Sequence, residues 1–476
     1  MRALPLLIAA ALSGCAVGPD YQRPASDLPA QWKSEAGWLP AAPADGLPKR
    51  EWWRQFGDEE LNRLEADALV RSPTLQLALA RLDQAQAQSR IHGAAALPTL
   101  AAGAAATRSR LSAERPQSAY GTAGSSTVQS DLKPMLSVSY EIDWLGRVRR
   151  DIESARAGAE QAAADRANVE LLLTAQLASA YLQLRQEDEE IRLLDGILDA
   201  QQRVLELTGI RHRAGLASAG DEAQQAATVA ASRAQRELLL NQRRASEDLL
   251  ATLSGAPAAS FRLAPGKLPD TLPAVPAGAP SALLQRRPDI ASAERAMAAA
   301  NAQIGVAKAA YFPQLTLAPT YLGSESTGLA NLFSTPALIW GIGLQATQTL
   351  FDNGKTAAGV AYAEAGYRAA LAGYRQTVLQ AVQEAQDALG ALHGLDQARR
   401  LQDEAVRKQD QAYAISRLRY REGLDSALTL AAARQSQLAA QRTQAQLRGG
   451  QLTAGVGLLK ALGGGWQAPQ DADRQN

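Results

Sequence analysis

Two long stretches without proline limit the folds open to this chain more than any other feature. One runs from Gly146 to Arg213 and the other from Lys355 to Arg421, about 66 residues each. Both are rich in Ala, Leu, Gln and Arg, which are good helix formers. As one helix, each stretch would be roughly 100 Å long at 1.5 Å per residue. A globular domain of ordinary size cannot hold such a rod, so we predict a structure that bridges a gap.

The two stretches belong to an internal duplication, which relates the first half of the chain to the second. Pro98 matches Pro313 at an offset of 215, and R-H-R-A-G-L-A-S-A at 211–219 matches R-Y-R-E-G-L-D-S-A at 419–427 at an offset of 208. The first half therefore carries seven extra residues between Pro98 and Gly146. A constant offset over more than 100 residues predicts two halves with one plan.

The duplication, together with the N-terminal signal sequence described below, predicts six segments. They are a signal peptide at 1–14, a lipid-anchored N-terminal segment at 15–60, a first repeat at 61–255, a proline-rich linker at 256–286, a second repeat at 287–463 and a C-terminal tail at 464–476.

Each repeat also contains a predicted β-hairpin, at about 99–143 and about 314–351. Residues 134–143 and 338–345 alternate between apolar and polar or small side chains, and their predicted partners are 99–110 and 314–323. Period-two alternation is typical of a barrel strand between lipid and a polar lumen, although a soluble hairpin remains an alternative. The aromatic residues at the helix-side strand ends are predicted to form an interfacial girdle: Trp144, Tyr311, Phe312 and Phe351.

Four strands per chain cannot close a membrane barrel, because such barrels begin at eight strands. Open sheet edges do not occur in lipid. Hairpins in a membrane therefore require several copies of the chain: a dimer would supply eight strands and a trimer twelve. The strand pattern does not choose between them.

Composition excludes several classes of function. Lys plus Arg number 49 and Asp plus Glu 48, so no strong field attracts nucleic acid. Three histidines and one cysteine are too few and too scattered for a zinc site. No phosphate loop, nucleophile elbow or H-E-x-x-H motif is present. We therefore expect no enzyme activity, no metal and no cofactor.

The single cysteine lies at the end of an apparent export signal. Arg2 precedes an apolar run from Ala3 to Leu12, which is too short to span a bilayer and is typical of a signal peptide. L-S-G-C, ending at Cys15, resembles the bacterial lipobox. That resemblance implies cleavage before Cys15 and N-acyl and S-diacylglycerol groups on it, and Ala16 implies sorting to the outer membrane. The alternative is a buried cysteine acting as a small hydrophobe.

Five stretches across nearly the whole chain resemble the lipoprotein branch of the TolC-type outer membrane factors, the OprM/NodT-like group. They are C-A-V-G-P-D-Y-Q-R-P from 15, E-W-W-R-Q-F-G-D-E-E-L from 51, V-P-A-G-A-P-S-A-L-L-Q-R-R-P-D-I from 275, A-A-N-A-Q-I-G-V-A-K-A-A-Y-F-P-Q-L from 299 and L-K-A-L-G-G-G-W from 459.

The resemblance implies a mainly α fold with a membrane β-barrel. The family is a homotrimer with a 12-stranded outer-membrane barrel, four strands per chain, and a long periplasmic coiled-coil α-barrel. Its function would be that of a channel lipoprotein, which works with a periplasmic adaptor and an inner-membrane RND transporter to export small toxic compounds or drugs. The alternative function is the duct of a type I (ABC) secretion system. A purely structural coiled-coil lipoprotein is a further alternative.

The resemblance also assigns roles to the two helix turns. Gly215, Leu216, Gly423 and Leu424 would form periplasmic tips where the adaptor docks, although glycine at a helix end is explained by capping alone.

A gate at these tips is only partly transferable from TolC. Asp221 and Tyr420 match its gating positions, whereas Asp425 stands where TolC has an arginine, and Thr429 and Ala432 replace two acids. The arginines close enough in sequence to pair with Asp221 or Asp425 are Arg417, Arg419 and Arg421. Each charge could instead be a solvated helix-end residue.

Overall fold

The protein is described by a computed structural model that covers residues 16–24, 51–110, 112, 128–271 and 287–464. Several predicted features lie outside these residues: the signal peptide, Cys15, most of the first hairpin loop, the later part of the linker and the C-terminal tail beyond Gly464.

Seven α-helices and six strands occur in the described ranges, preceded by a 3-10 turn at Trp52–Phe56. The helices are α1 Glu59–Arg71, α2 Pro73–Ala94, α3 Arg147–Arg213, α4 Ala219–Leu253, α5 Pro288–Ala309, α6 Lys355–Arg421 and α7 Ala427–Ala461. The strands are β1 Thr99–Arg110, β2 Val128–Ile142, β3 Gln314–Leu317, β4 Tyr321–Ser324, β5 Leu338–Gly341 and β6 Leu344–Thr347. None of the helices in these ranges is both long and apolar enough to cross a bilayer.

The helices repeat between the halves with equal lengths. The long helices α3 and α6 have 67 residues each, α4 and α7 have 35 each, and α2 and α5 have 22 each. The boundaries of α6 and α7 follow those of α3 and α4 by 208 positions, and α5 follows α2 by 215. The offsets found in the sequence therefore correspond to equivalent secondary structure.

The chain forms two compact units. The first contains the described residues of Met1–Pro24, Asp83–Gln161 and Ala293–Tyr374, and includes the whole sheet. The second contains the described residues of Ala25–Leu82, Ala162–Ser292 and Arg375–Asn476.

The second unit has a core built where the N-terminal turn and α1 pack on α3. Trp52, Trp53 and Phe56 join Leu61 and Leu64 of α1 in one buried cluster with leucines of α3. Asp58 begins α1 by accepting hydrogen bonds from the amides of Glu60 and Leu61, and it also accepts one from the Tyr181 hydroxyl at 2.7 Å. Asp58 thus ties the helix start to α3.

The sheet joins both hairpins side by side. β1 pairs with β2, β2 pairs with β3 and β4, and these pair with β6 and β5 respectively, all antiparallel. Each second-half strand is broken in two, so the sheet corresponds to four long strands. Both predicted hairpins are confirmed.

The predicted continuous strands at 314–323 and 338–345 were wrong. Leu317 pairs with Leu344 and Tyr321 with Gly341, so three residues on one strand face two on the other. The extra residue is a bulge around Pro319, which has no N–H to donate to a ladder. Gly343 lies opposite, where a Cβ would come within 2.9 Å of the Pro319 ring.

The predicted start of β2 at 134 was also wrong. β1 pairs with β2 without interruption from Thr99↔Ser139 to Arg110↔Val128. The strand therefore continues through Pro134, because twelve consecutive pairings outweigh the local signal of one proline.

Glu65 is an ionisable group inside the core of the second unit. Its side chain is 0 % exposed among the apolar residues of α1, and both carboxyl oxygens lack a hydrogen-bond partner. Burial raises the pKa of Glu65 to about 9, from an ordinary value of 4.5. The folded state therefore holds this carboxyl protonated at neutral pH.

We expect folding stability to fall as pH rises from about 5 towards 9, because the folded state binds a proton that the unfolded state has already released above pH 4.5. The loss is at most about 1.4 kcal/mol per pH unit, the value for one proton. Glu65→Gln should flatten this slope and raise the unfolding midpoint at pH 8, measured by thermal denaturation at several pH values. Glu59→Gln, at an exposed position of the same helix, should keep the wild-type slope. An unchanged slope in Glu65→Gln would contradict this assignment.

Candidate channel site

The sheet has one apolar face and one polar face. Pairing places Leu136 beside Leu322 and Tyr140 beside Leu317, so the apolar residues of both hairpins lie on the same side. That face also carries Leu100, Ala102, Ala104, Ala106, Leu132, Val138, Ile142, Leu315, Leu338, Trp340, Leu344 and Ala346. The other face is mainly polar, although it also carries Met135, Tyr321 and Ile339; its polar residues are Thr99, Thr107, Gln129, Asp131, Lys133, Ser137, Ser139, Glu141, Gln314, Thr316, Gln345 and Thr347. Such a sheet separates an apolar medium from water.

Both edges of the sheet are open. β1 pairs only with β2 among the described strands, and β5 and β6 pair only with β4 and β3. The outer edge of β1 leaves a row of backbone groups over twelve residues without a ladder partner. A sheet with an apolar face and two open edges needs further strands before lipid can surround it.

The four predicted girdle aromatics lie at the junctions between strands and helices. Trp144 is half-buried and donates its indole N–H to the carbonyl of Pro313 at 3.0 Å. Tyr311, Phe312 and Phe351 are exposed. Their interfacial role stays a prediction.

Both long helices begin with an aspartate cap that the sequence interpretation missed. Asp143 accepts hydrogen bonds from the amides of Val148 and Arg149 at 3.0 and 2.9 Å. Asp352 accepts them from the amides of Gly354 and Thr356 at 3.0 and 2.8 Å. The Thr356 hydroxyl also donates to Asp352, and this bond together with the amide bonds lowers the pKa of Asp352, since they favour its charged form. In both places the sequence signal for this cap is an Asp followed closely by Gly and then a basic residue.

The turns after the long helices are the same motif built twice. Leu216 N–H donates to Arg211 C=O and Gly215 N–H to His212 C=O, at 2.8 and 2.9 Å. Leu424 and Gly423 repeat these bonds to Arg419 and Tyr420, at 2.8 and 3.1 Å. Both glycines have φ of 73°, which is the left-handed residue of a Schellman motif. Capping alone therefore accounts for both glycines.

The motif exposes both leucines at these turns. Leu216 is 71 % and Leu424 68 % exposed. Ser218 and Ser426 start the next helices by accepting from the amides of Asp221 and Thr429 at 3.1 Å each. Each turn thus holds its leucine on a short, capped connection between two helices.

The predicted gate residues lie at both turns: Asp221 follows the first turn, and the other five lie around the second. Asp221 completes a capping box with Ser218, and those hydrogen bonds lower its pKa. The pattern S-x-x-D was readable in the sequence, but the gate and solvated-residue interpretations of Asp221 did not include this capping role. Asp425 pairs with Arg419 at 3.1 Å. Arg417, Tyr420 and Arg421 are exposed.

Residues 16–24, which directly follow Cys15, are held against the first unit. Val17 N–H donates to Leu145 C=O at 2.9 Å, and Asn301 donates its side-chain amide to Pro19 C=O at 2.8 Å. Arg150 and Arg23 add ion pairs with Asp20 and Glu294, at 2.5 and 3.0 Å. The segment therefore has a defined path next to the end of β2.

Glycines make this close approach possible. Gly18 has φ of 108°, and a Cβ there would lie 2.5 Å from the Cα of Gly305 on α5. A Cβ on Gly146 would lie 2.9 Å from the Cβ of Ala16. Larger residues at these positions would displace the segment.

The described residues offer no site for metal chemistry. No three His, Cys, Asp or Glu side chains gather within these ranges in a way that could hold an ion.

Comparison with known proteins agrees with this architecture. The family model described as outer membrane efflux protein matches residues 64–256 and 279–464. The chain is 36 % identical to the pyoverdine export outer membrane protein OpmQ of Pseudomonas aeruginosa, over 100 % of this chain and 98 % of OpmQ. It is 34 % identical to the toluene efflux pump outer membrane protein TtgC of Pseudomonas putida, over 96 % of this chain and 93 % of TtgC.

Solved structures extend the comparison to three dimensions. The outer-membrane channel OprN matches with a TM-score of 0.85 and 31 % identity, over 95 % of this chain and 100 % of OprN. The expected TolC-like fold, a mainly α protein with a membrane β-barrel, is thereby confirmed. The chain belongs to the outer membrane efflux protein family, and it is a channel of the Gram-negative outer membrane rather than an enzyme.

Proposed function

We propose that three copies of this chain form the exit duct of a tripartite RND-type efflux system for small organic compounds. The observation that carries the proposal is the four-stranded sheet with one apolar face and two open edges. Three such sheets supply twelve strands, enough for a barrel with a pore, whereas two supply eight and leave an interior filled by side chains. Channels of this family are trimers that work with adaptor and pump partners.

The likeness to efflux proteins supports the RND partnership over the type I secretion alternative. The relatives OpmQ and TtgC are named for pyoverdine and for toluene, which are unlike each other chemically. Related ducts named for such unlike compounds indicate that the duct itself discriminates weakly, so we assign the choice of compound to the pump.

The exposed leucines at the turns are proposed as the docking site for the periplasmic adaptor. Each is apolar, exposed, and fixed on a rigid Schellman turn, so binding would cost little ordering entropy. The internal duplication supplies two such turns per chain, hence six per trimer.

Leu216→Ser with Leu424→Ser should abolish efflux and adaptor co-purification, because both changes remove apolar contact area without disturbing the core. Single-channel conductance in planar bilayers should persist, since neither side chain packs in the fold. Leu329→Ser, an equally exposed leucine in the loop between β4 and β5, is the matched control and should keep efflux. Normal adaptor binding in the double variant would contradict the proposed docking site.

The Arg419–Asp425 pair and Tyr420 are proposed as parts of the resting gate. The pair spans the turn between α6 and α7, so it holds the end of α6 to the residue directly before the Ser426 cap of α7. The proposed gate also includes three further charged residues near these turns, Arg417, Arg421 and Asp221.

Asp425→Asn should raise passive leakage through the purified trimer, because it removes the charge that pairs with Arg419. Tyr420→Phe should act in the same direction through loss of its hydroxyl. Glu422→Gln removes a charge from the same turn outside the pair and should leave conductance at the wild-type level. If Asp425→Asn and Glu422→Gln conduct alike, the pair has no gating role.

Cys15 is proposed to carry N-acyl and S-diacylglycerol groups that anchor the chain in the outer membrane. The path of residues 16–24 supports this anchor. The Val17 N–H donates a hydrogen bond to the Leu145 carbonyl, which lies close to the Ile142 end of β2. A lipid attached to Cys15, two residues before Val17, would then enter the bilayer close to the barrel.

Intact mass analysis of the mature protein should find Cys15 as the first residue, with the added mass of diacylglycerol and a third acyl chain. Cys15→Ser should lose that mass. A mature chain that retains residues 1–14, or begins at Cys15 without lipid, would contradict the anchor while leaving the channel proposal intact.

A further inference from the structure

The junction between the two hairpins inside one chain is a template for a junction between two chains. Within the chain, β2 ends the hairpin of the first repeat and pairs with β3, which begins the hairpin of the second repeat. In the internal duplication, β6 takes the place of β2 and β1 takes the place of β3. β1 and β6 lie at opposite edges of the sheet formed by the described strands. Contact between β6 of one copy and β1 of the next would therefore repeat the contact between β2 and β3.

The ladder positions of the two hairpins relate these strands residue by residue. Thr99 pairs with Ser139 at the helix end of the first hairpin, and Gln314 pairs with Thr347 at the same end of the second. β1 thus maps onto β3 at an offset of 215 and β2 onto β6 at an offset of 208. The same two offsets relate α2 to α5 and α3 to α6, so strands and helices follow one correspondence.

This correspondence defines a register between copies. Ile142 pairs with Leu315 within the chain, and the equivalent pair between copies joins Leu350 to Leu100. β1 is continuous from Thr99 to Arg110, so the ladder can be continued towards the loops. It then adds three further pairs at alternate positions: Gln348 with Ala102, Ala346 with Ala104, and Leu344 with Ala106.

The side-chain faces agree with this register. Leu100, Ala104, Leu344 and Ala346 all lie on the apolar face of the sheet. A slip of one residue would place apolar side chains of one copy beside polar-face positions of the next. The register also brings together Leu100 and Leu350, which are 68 % and 91 % exposed in the single chain.

The backbone of β1 agrees independently of the side chains. Val138 on β2 donates its N–H to the Thr320 carbonyl and so turns it away from β1. Its partner Leu100 is therefore in a non-hydrogen-bonded pair and turns its own N–H and C=O to the outer edge of β1. Every second residue up to Ala106 does the same.

The backbone of β6 has the matching orientation. Ile142, four residues after Val138 on the continuous strand β2, also turns its N–H towards β3 and forms a hydrogen-bonded pair with Leu315. Leu315 is then non-hydrogen-bonded to Ala346, whose N–H and C=O point to the outer edge of β6. Pairing Ala346 with Ala104 thus joins backbone groups that have no ladder partner among the described strands.

Strand direction selects β6, and not a second β1, as the partner of β1. β1 runs away from helix α2, whereas β6 runs towards helix α6. Antiparallel pairing of β1 with β6 keeps the helices of both copies on one side of the membrane, and antiparallel pairing of two β1 strands would send them to opposite sides. In channels of this family the helices are periplasmic. The contact is therefore head-to-tail, the kind that can close into a ring.

We propose that β1 of each copy pairs with β6 of the next copy in this register, with Leu100 opposite Leu350 and Ala104 opposite Ala346. The proposal rests on the oligomeric duct proposed above and specifies the contact that closes its barrel. Because this register copies the β2–β3 junction, neighbouring hairpins meet in the same way within and between chains.

Cysteine pairs on the polar face test the register in the full-length protein. Ala105 and Gln345 would be directly opposite in a non-hydrogen-bonded pair, with Cα atoms about 4.5 Å apart, which suits a disulfide. Ala105→Cys with Gln345→Cys is the matched pair. Gly103→Cys and Thr107→Cys, each with Gln345→Cys, are controls slipped by two residues, at about 7 Å or more.

Each double variant is oxidised in detergent and separated on denaturing gels without reducing agent, and single variants control for bonds to Cys15. We expect the matched pair to convert most of the protein into covalent dimers and trimers that a reducing agent separates. The slipped pairs and single variants should remain mostly monomeric on the gel. On the apolar face, Ala104→Cys with Ala346→Cys should cross-link in the same way, with Ala102→Cys and Ala106→Cys as its slipped partners.

Two results would overturn the register: a slipped pair that cross-links as strongly as the matched one, or no intermolecular bond in either matched pair. Native mass spectrometry of the reduced variants tests the duct separately. A trimeric mass without matched cross-links contradicts this register alone, whereas a monomeric mass in detergent contradicts the proposed duct as well.

Discussion

The unpaired backbone at the two edges of the sheet is the constraint on which the rest of this structure depends. Hydrocarbon offers no partner for N–H and C=O groups, so a sheet with an apolar face cannot end in a membrane. Among the described strands, β1 forms one such edge and β5 with β6 the other. The four strands of one chain are therefore a fraction of a barrel, and association of copies is a condition for folding in the membrane rather than a later event.

Internal duplication doubles the number of strands that one chain contributes to such a barrel. Two halves with equal helix lengths and the same turn chemistry give one chain two hairpins and two pairs of long helices. Aspartate begins each long helix, a Schellman glycine ends it, and serine begins the next. The halves differ where the sheet is made: β1 and β2 are continuous, whereas Pro319 breaks the corresponding second-half strand.

Much of the architecture was predictable because its signals are local. A 67-residue helix needs no tertiary contact to be recognised when proline is absent throughout, and R-x-R-x-G-L predicts a helix end from glycine alone. Strand limits were less predictable. The extension of β2 to Val128 depends on its pairing with β1, and the bulge at Pro319 depends on two neighbouring strands at once. The capping role of Asp221 was not predicted, because the position was interpreted from its match to a gating residue and not from its spacing to Ser218.

By itself the sequence determined the number of long helices, their turns, the two hairpins and the duplication, since periodicity, proline and glycine act within a few residues. Only the tertiary structure decided that both hairpins join one sheet with their apolar sides together, because register is a relation between strands far apart in the chain. Likewise, the close approach of residues 16–24 to α5 and the unpartnered carboxyl of Glu65 arise from packing between distant segments, which no local pattern records.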